Sequence, residues 1–252
     1  MTFASDLRRR DSVIAMRAVP LVLLATGCNV TIADSDELYS NGFDHQVLCG
    51  LSVDDKNAVS QDALAAGLDR AQVEQLTLHL YTHTPRGTVQ YSTVESVVAS
   101  AAARGLPFVT YREIVAGYTG AGLAFSFDDN DLGGWVTLRD IFLLYEAKAT
   151  FFISGFHTLG ELERAQLRQF ADDGHDIQYH STNHENAEDY SGANGVDRYV
   201  TDDILPDLAE MRAAGYDPTV FAYPYGARTA DTDRALLDHF TALRAIRYTC
   251  PY

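Results

Sequence analysis

The 252-residue sequence predicts an α/β barrel in which parallel strands form the inside and helices the outside. Apolar runs rich in β-branched and aromatic residues alternate along the chain with amphipathic helical patterns. Such alternation is typical of a parallel sheet whose strands are joined by helices. The seven strand runs are enough to close, or nearly close, the sheet into a barrel.

Each element is predicted from its apolar pattern and the turn residues that flank it. Strands are predicted at residues 48–53, 76–82, 123–127, 149–153, 176–180, 219–223 and 244–248. Helices are predicted at residues 60–74, 92–104, 135–147, 159–173, 199–214 and 230–242. The polar residues 29–46 are predicted to be a tether, so residues 47–252 are expected to form the barrel domain.

The chain is strongly acidic, with a formal net charge of -16 at pH 7. Such a charge is repelled by nucleic acid and by anionic membrane surfaces. A neutral or cationic substrate is compatible with it. We therefore expect no nucleic-acid partner, and we expect a monomer.

The N-terminus has the pattern of a bacterial export signal. Basic residues at 8–17 precede a short apolar run at 18–25, which ends in Ala-Thr-Gly-Cys at Cys28. This run is too short to span a bilayer as a helix. The Cys resembles the lipidated residue of a lipobox, so residues 1–28 are predicted to be a signal and the protein an exported cell-envelope lipoprotein whose only membrane contact is its lipid anchor. The alternatives are a plain secretory signal, which would release a secreted protein, or a true start at Met16.

Polar side chains follow four of the predicted strands at their carboxyl ends. In a parallel barrel these ends meet at one rim, where the chemistry of such folds is found. The strand-end residues are His83, Asp128, Asp129, His180 with His184 four residues later, and the Pro224-Tyr225-Gly226 turn.

Two His and one carboxylate are a common ligand set for a catalytic zinc ion. One carboxylate of the adjacent pair Asp128 and Asp129 would bind the ion, and the other would take a proton from water. A cation would also relieve the repulsion between the two carboxylates. This chemistry fits hydrolysis of an amide or an ester. Adjacent carboxylates cannot flank a glycosidic bond, which argues against a glycosidase.

Taken singly, each motif has a simpler structural interpretation. The Asp pair is also typical of a turn or helix cap, the two His of ordinary surface or core residues, and YPYG of a rigid turn. Their order along the chain, each at a strand end, favours a shared site.

The segments FSFDDN, ATFFI, GHDIQYHSTNH and FAYPYG resemble, in this order, the motifs of the polysaccharide deacetylases with a NodB homology domain, carbohydrate esterase family 4. The resemblance covers residues 123–248 and implies a distorted (β/α)7 barrel of the NodB type. It implies that Asp128 is the catalytic base and that Tyr225 offers its backbone N–H to the oxyanion. The implied metal ligands are Asp129, His180 and His184, holding one divalent ion, Zn first, with Co, Ni or Mn as alternatives.

The implied substrate is an acetylated polysaccharide, from which N-acetyl groups of an amino-sugar polymer are removed. We expect Pro224, Tyr225 and Trp135 to contact it, because aromatic side chains near the rim can stack on sugar rings. Two alternatives remain. The first is an esterase that removes O-acetyl groups with the same residues. The second is a carbohydrate-binding protein of this fold without catalysis.

Three departures from the family pattern affect this interpretation. Asn130 stands where the first motif has Gly, and Ala222 stands where the third motif has an Arg that steadies the base, so another residue such as Arg228 would have to reach Asp128. The family's closing strand and its acid His are not found after the strand at residues 244–248. However, QLTLHLYTHTP and GLPFVTYREI, at residues 75–85 and 105–114, resemble that closing segment. We therefore predict a circular permutation, as in the bacterial poly-N-acetylglucosamine deacetylases.

In the permuted order, His83 would be the general acid, because it lies nearer the strand end than His79. Asp54 could tune it. The alternative is that both are ordinary strand histidines.

The remaining cysteines, Cys49 and Cys250, are a separate question. The predicted boundaries place them a strand length apart, about 20 Å, which is too far for a disulfide. A pair would require the 48–53 strand to be wrong, yet an exported protein favours disulfides. Both possibilities stay open.

Overall fold

The computed structural model describes Met1 and residues 31–250, and a closed ring of seven parallel strands forms its centre. The strands are β1 (Tyr39–Ser40), β2 (Val47–Ser52), β3 (Thr77–Thr82), β4 (Gly122–Asp129), β5 (Thr150–Ile153), β6 (Asp176–Tyr179), β7 (Val220–Ala222) and β8 (Ala242–Ile246). Strand β1 lies outside the ring and pairs antiparallel with β3. The predicted α/β barrel is confirmed, and all seven predicted strands are present.

The order of strands in the ring is circularly permuted, as the sequence predicted. Strands β2 and β3 come before β4 in the chain, yet they fill the gap between β8 and β4. Strand β2 pairs with β8, where Cys49 lies opposite Ala245. Strand β3 pairs with β4 along its whole length, from Thr77 opposite Gly122 to Thr82 opposite Phe127. These pairings close the barrel.

Helices surround the ring. They are α1 (Gln61–Glu74), α2 (Tyr91–Ala103), α3 (Tyr111–Val115), α4 (Leu132–Val136), α5 (Arg139–Leu144), α6 (Glu161–Asp172), α7 (Ala187–Asn194), α8 (Val196–Tyr199), α9 (Leu205–Ala213) and α10 (Ala230–Leu236). Within residues 31–250, none of these helices is long and apolar enough to cross a membrane.

Several helix boundaries differ from the prediction. The helix predicted at 135–147 is split into α4 and α5, and the Thr137 hydroxyl at the break donates to the Gly134 carbonyl at 2.6 Å. The helix predicted at 199–214 contains a π-helical turn at Val200–Ile204 between α8 and α9. Helices α3 and α7 were not predicted, because both are short.

Two apolar clusters pack on the two faces of the strands. The larger cluster lies between the strands and the helices. A smaller one includes residues from five strands of the ring, among them Ala124, Phe152 and Ala222. Because side chains alternate along a strand, this smaller cluster fills the barrel interior. The polar strand-end residues are therefore left at one rim.

Part of the predicted tether is packed against the barrel. Ile32 and Leu38 are fully buried, and Tyr39 and Ser40 form β1. The contact is close, since a Cβ placed on Gly67 of α1 would lie 2.4 Å from Ile32 Cγ2. The tether prediction is wrong for these residues because a few apolar side chains in a polar stretch are enough to anchor it. The predicted signal and the lipidation residue Cys28 lie outside the described residues.

The structure pairs Cys49 and Cys250 in a disulfide, with a Cα–Cα distance of 5.9 Å. After β8 the chain turns through a 3-10 helix at Arg247–Thr249, and this turn brings Cys250 beside β2. The expectation that the strand and the disulfide exclude each other is wrong, because it placed Cys250 beyond the end of a straight strand. Both features are present.

Candidate active site

Three of the predicted residues form a metal-competent cluster at the rim. The possible ligand atoms of Asp129, His180 and His184 all lie within 4.8 Å of one another. Asp129 Oδ1 is 3.2 Å from His184 Nε2 and 3.7 Å from His180 Nε2. Asp129 ends β4, and His180 directly follows β6. The fold thus brings together the three residues that the sequence predicted as ligands.

The chemical state of these residues fits a divalent cation. His180 is buried, and its Nδ1 donates to the Ala222 carbonyl at 2.7 Å, so Nε2 carries the lone pair that faces Asp129. Burial lowers the pKa of His180 to about 4, which keeps the ring neutral. Burial alone would raise the pKa of Asp129, but the hydrogen bond from His184 and the nearby His180 and His83 outweigh it and lower that pKa. One carboxylate and two imidazoles suit zinc and related ions.

The backbone around this cluster is strained. Asp129, Ser181, His184 and Tyr225 have left-handed φ values of 87°, 74°, 59° and 60°. Residues other than glycine adopt this conformation at a cost, and they cluster at functional sites. Half of the eight such residues in the described part of the chain lie at this rim. The strain indicates that the rest of the fold holds these side chains in place.

Asp128 is paired with an arginine that the sequence analysis missed. Arg244 on β8 is fully buried, and its guanidinium donates to one carboxylate oxygen of Asp128. The guanidinium carbon lies 4.6 Å from the centre of the Tyr81 ring and 5.2 Å from that of Phe152. Among the described residues, the other oxygen of Asp128, Oδ1, has no hydrogen-bond partner. One oxygen is thus held by a cation while the second is available.

Arg244 occupies the strand next to the position where the family has its arginine. Ala222 on β7 and Arg244 on β8 are direct register partners. Arg228, the residue considered from the sequence, pairs with Asp233 instead. A signal was present, because Arg244 is a lone charge within an apolar strand, and a charge buried there needs a buried partner.

The predicted acid residue, His83, is held by a buried carboxylate. His83 Nδ1 lies 2.6 Å from Asp54 Oδ2, and Asp54 also accepts hydrogen bonds from the hydroxyls of Thr82 and Thr88. Burial alone would lower the pKa of His83, but the hydrogen bond to Asp54 and the charges of Asp128 and Asp54 raise it. Burial would raise the pKa of Asp54, yet its hydrogen bond with His83 outweighs this and lowers the pKa to about 2.

The other candidate histidine, His79, lies in the barrel interior. It lies on β3, four residues or about 13 Å before His83, which directly follows the strand. Its Nε2 lies 2.8 Å from the Ser40 hydroxyl, and its Nδ1 lies 3.1 Å from the Tyr111 hydroxyl. Burial lowers the pKa of His79 to about 3. The geometry therefore brings His83, and not His79, to the rim.

The prediction that Trp135 contacts substrate is wrong. Its side chain is fully buried and packs against Phe127 and Phe151. The indole N–H donates to the His83 carbonyl at 2.9 Å. Helix α4 directs the ring into the core between strands and helices, so Trp135 supports the backbone of His83 and offers no stacking surface.

The turn after β7 places Tyr225 beside His184 of the metal-competent cluster. Tyr225 is 64% exposed, and the centre of its ring lies 4.8 Å from that of His184 in an edge-on arrangement. Pro224 in the same turn is buried. A cavity of about 190 Å³ lies beside His83, and its lining includes Lys56 and Tyr248. The exposed ring of Tyr225 and the cavity beside His83 are both open to solvent.

These observations define the class of protein. It is a closed α/β barrel whose rim carries a metal-competent cluster and a histidine that is hydrogen-bonded to a carboxylate. Within it, residues 119–240 match the family model described as Polysaccharide deacetylase. Residues 119–240 therefore match a polysaccharide deacetylase domain, and the family resemblance of the sequence is confirmed. A search of the curated proteins finds no match.

Solved structures of this fold are similar to the chain. The structure of IcaB from Ammonifex degensii matches with a TM-score of 0.55 at 17% identity, over 68% of this chain and 84% of that one. The deacetylase domain of BpsB from Bordetella bronchiseptica matches with a TM-score of 0.45 at 13% identity, over 57% and 80% of the two chains. The first of these likenesses supports the barrel fold.

Proposed function

We propose that this protein is a metal-dependent hydrolase that removes N-acetyl groups from an amino-sugar polysaccharide such as an N-acetylglucosamine polymer. The observation that carries the proposal is the convergence of three groups at one rim of a polysaccharide deacetylase domain. These are the metal-competent cluster, the Asp128–Arg244 pair and the His83–Asp54 pair.

Each group has a role in amide hydrolysis. A divalent ion, zinc or a similar metal, held by Asp129, His180 and His184 would lower the pKa of a water molecule and polarise the acetyl carbonyl. Asp128 would accept the proton of the attacking water through its unpaired oxygen, Oδ1, while Arg244 holds the other oxygen. The hydrogen bond from Arg244 would thus orient the Asp128 carboxylate and leave one of its oxygens to accept a proton.

His83 would protonate the leaving amine. Because its Nδ1 is engaged by Asp54, its Nε2 is the nitrogen that can face the substrate. The raised pKa of His83 favours the protonated ring, which is the form that a general acid requires. The Tyr225 backbone N–H, in its left-handed turn, would donate to the developing oxyanion.

We also propose that the protein is exported, as a lipid-anchored monomer of the cell envelope. The Cys49–Cys250 disulfide supports export, because structural disulfides persist in oxidising compartments. The basic and apolar N-terminal pattern supports it independently. Mass spectrometry of the mature N-terminus would test the anchor: an unmodified Cys28, or a chain that retains the residues before it, would contradict it.

The function is tested by measuring metal content and acetate release on one purified sample. We expect about one equivalent of a divalent metal and acetate release from an N-acetylglucosamine oligomer that EDTA abolishes. Asp128→Asn should retain metal and lose turnover, since the amide cannot accept the proton. His184→Ala should lose metal.

The outcomes separate the alternatives. Metal with release of acetate only from O-acetylated polysaccharide would favour the esterase. A protein without metal, or a fully active Asp128→Asn variant, would contradict the proposed site.

A further inference from the structure

We propose that the cavity beside His83 is a subsite for an acidic sugar, in which the Lys56 ammonium binds a carboxylate or phosphate group of the polysaccharide. The inference rests on the proposed function and names the class of its polymer. The cavity has a volume of about 190 Å³, and two short 3-10 helices, Asp55–Asn57 and Arg247–Thr249, contribute to its lining. These helices lie outside the sequence motifs that predicted the rim.

The lining of this cavity is basic, although the chain as a whole is strongly acidic. The chain has 35 Asp and Glu residues against 19 Lys and Arg residues. The described residues that line the cavity include Lys56, Arg247 and His83, and no Asp or Glu. A larger cavity of about 930 Å³ is instead lined by several carboxylates, those of Asp34, Asp36, Glu37 and Asp233. The basic lining is therefore a local feature, and it favours an anionic group.

Lys56 is the basic side chain of this lining that is left for a ligand. Arg247 Nε lies 3.0 Å from Glu37 Oε1, and His83 Nδ1 lies 2.6 Å from Asp54 Oδ2. Among the described residues, no carboxylate forms an ion pair with Lys56. An ammonium group has three donors and no acceptor, and its strongest hydrogen bonds are made to carboxylate and phosphate oxygens.

The acidic neighbour of Lys56 in the chain is engaged elsewhere. Asp55 Oδ1 accepts hydrogen bonds from the Gln90 backbone N–H and the Thr93 hydroxyl, both at 3.3 Å, where α2 begins. The start of a helix favours negative charge, so this position suits the carboxylate. Asp55 therefore does not offset the charge of Lys56 in the cavity.

Both walls of the cavity are fastened to the barrel. The Asn57 side-chain amide donates to the Ser52 carbonyl at 3.2 Å, which holds the turn that carries Lys56. On the other wall, Arg228 Nη1 donates to the Thr249 carbonyl at 2.7 Å, and the next residue, Cys250, forms the disulfide. Walls that are already ordered lose little conformational freedom when a ligand binds.

Tyr248 adds an aromatic surface for a sugar ring. It is 77% exposed and lines the cavity together with Lys56. An aromatic face offers an apolar surface to the C–H groups of a sugar. Because His83 would protonate the amine of the sugar that loses its acetyl group, a ring on Tyr248 would be the neighbouring sugar. We therefore expect the charged group on the sugar that adjoins the N-acetylated one.

The test compares Lys56→Met with Lys148→Met. Lys148 is a matched control, because it is the only other lysine of the chain and is also exposed, but it precedes β5 at the opposite end of the barrel. Isothermal titration calorimetry at low salt measures the binding of oligomers that are already deacetylated, since these cannot react. One oligomer alternates glucosamine with glucuronic acid, a second carries phosphate on alternate glucosamines, and a third is glucosamine alone.

We expect Lys56→Met to bind at least one of the two acidic oligomers about 10-fold or more weakly than wild type, because it loses a hydrogen bond between charged groups. The oligomer that loses affinity identifies the group as carboxylate or phosphate. Binding of the glucosamine oligomer should not weaken, and Lys148→Met should bind every oligomer within about twofold of wild type.

Unchanged binding of both acidic oligomers in Lys56→Met, or an equal loss in the two lysine variants, would overturn the proposal. Wild-type protein that binds neither acidic oligomer would overturn it as well. Acetate release from the N-acetylated forms of the same oligomers is measured separately. Wild-type protein that binds an acidic oligomer through Lys56 and releases no acetate would contradict the proposed function and leave the subsite standing.

Discussion

The rim and the interior of the barrel place two neighbouring histidines in opposite environments. His83 lies at the rim, beside the carboxylate of Asp54, and its pKa is raised. His79 lies four residues earlier on β3, buried between the hydroxyls of Ser40 and Tyr111, and its pKa is lowered to about 3.

Burial is common to both histidines, so the partner decides the direction of the shift. Burial disfavours the charged ring in each case, and a neighbouring carboxylate reverses that effect only at His83. At His79 the nearby Arg244 adds to the effect of burial. Strand β3 therefore carries a neutral structural histidine within the core, and a candidate acid directly follows its carboxyl end.

The largest expected difference between the two histidines is in activity. Replacing a general acid typically costs about 10²–10⁴-fold in rate. We expect His83→Gln to lower kcat by that amount and to leave zinc binding within a few-fold of wild type. His79→Gln should keep kcat within about threefold, because its side chain is remote from the rim. Steady-state acetate release from an N-acetylglucosamine oligomer measures both.

A His83→Gln variant with wild-type kcat would remove His83 from the mechanism. A large loss of kcat in a folded His79→Gln protein would show that the interior histidine also affects the chemistry at the rim.

The positions of the rim residues were easier to predict from the sequence than the residues that hold them in place. Strand ends in a parallel barrel must meet, so Asp128, Asp129, His180 and His83 could be placed together before any coordinates were known. Their supports come from other elements. Arg244 reaches Asp128 from a separate strand, and no local pattern specifies that pairing.

Packing decided the features that the sequence left open or placed wrongly. The sequence position of Trp135 predicted an aromatic side chain at the rim, but the direction of its ring depends on how α4 packs. Ile32 and Leu38 were predicted to belong to a polar tether. Their burial depends on contacts with the barrel, which the local sequence does not specify. Cys250 meets Cys49 because a single turn after β8 reverses the chain.

The next difference is in how the free energy of unfolding depends on pH. His79 has a pKa of about 3 in the folded protein, whereas an unfolded histidine titrates near 6.5. Below about pH 6.5 the unfolded state binds a proton that the folded state does not, so stability falls as pH falls, by about 1.4 kcal/mol per pH unit. When the pH falls from 7 to 5, the free energy of unfolding of His79→Gln should decrease by about 2 kcal/mol less than that of wild type.

Urea unfolding in the presence of EDTA measures this difference without a contribution from bound metal. Equal losses of the free energy of unfolding in both proteins would mean that His79 is not held neutral in the fold.

The smallest expected effect concerns the carboxylate that distinguishes the rim. Asp54→Asn removes the charge that raises the pKa of His83, so that pKa should fall. Because the acid must be protonated, activity is present below its pKa and is lost as the pH rises through it. The alkaline limb of the kcat profile should therefore move to lower pH.

The matched control is Asp176→Asn, which changes a buried carboxylate at the start of β6 that pairs with Arg112 at 3.1 Å. Its alkaline limb should coincide with that of wild type. A limb that stays in place in Asp54→Asn, or that moves equally in both variants, would show that the rim carboxylate does not set the protonation of His83.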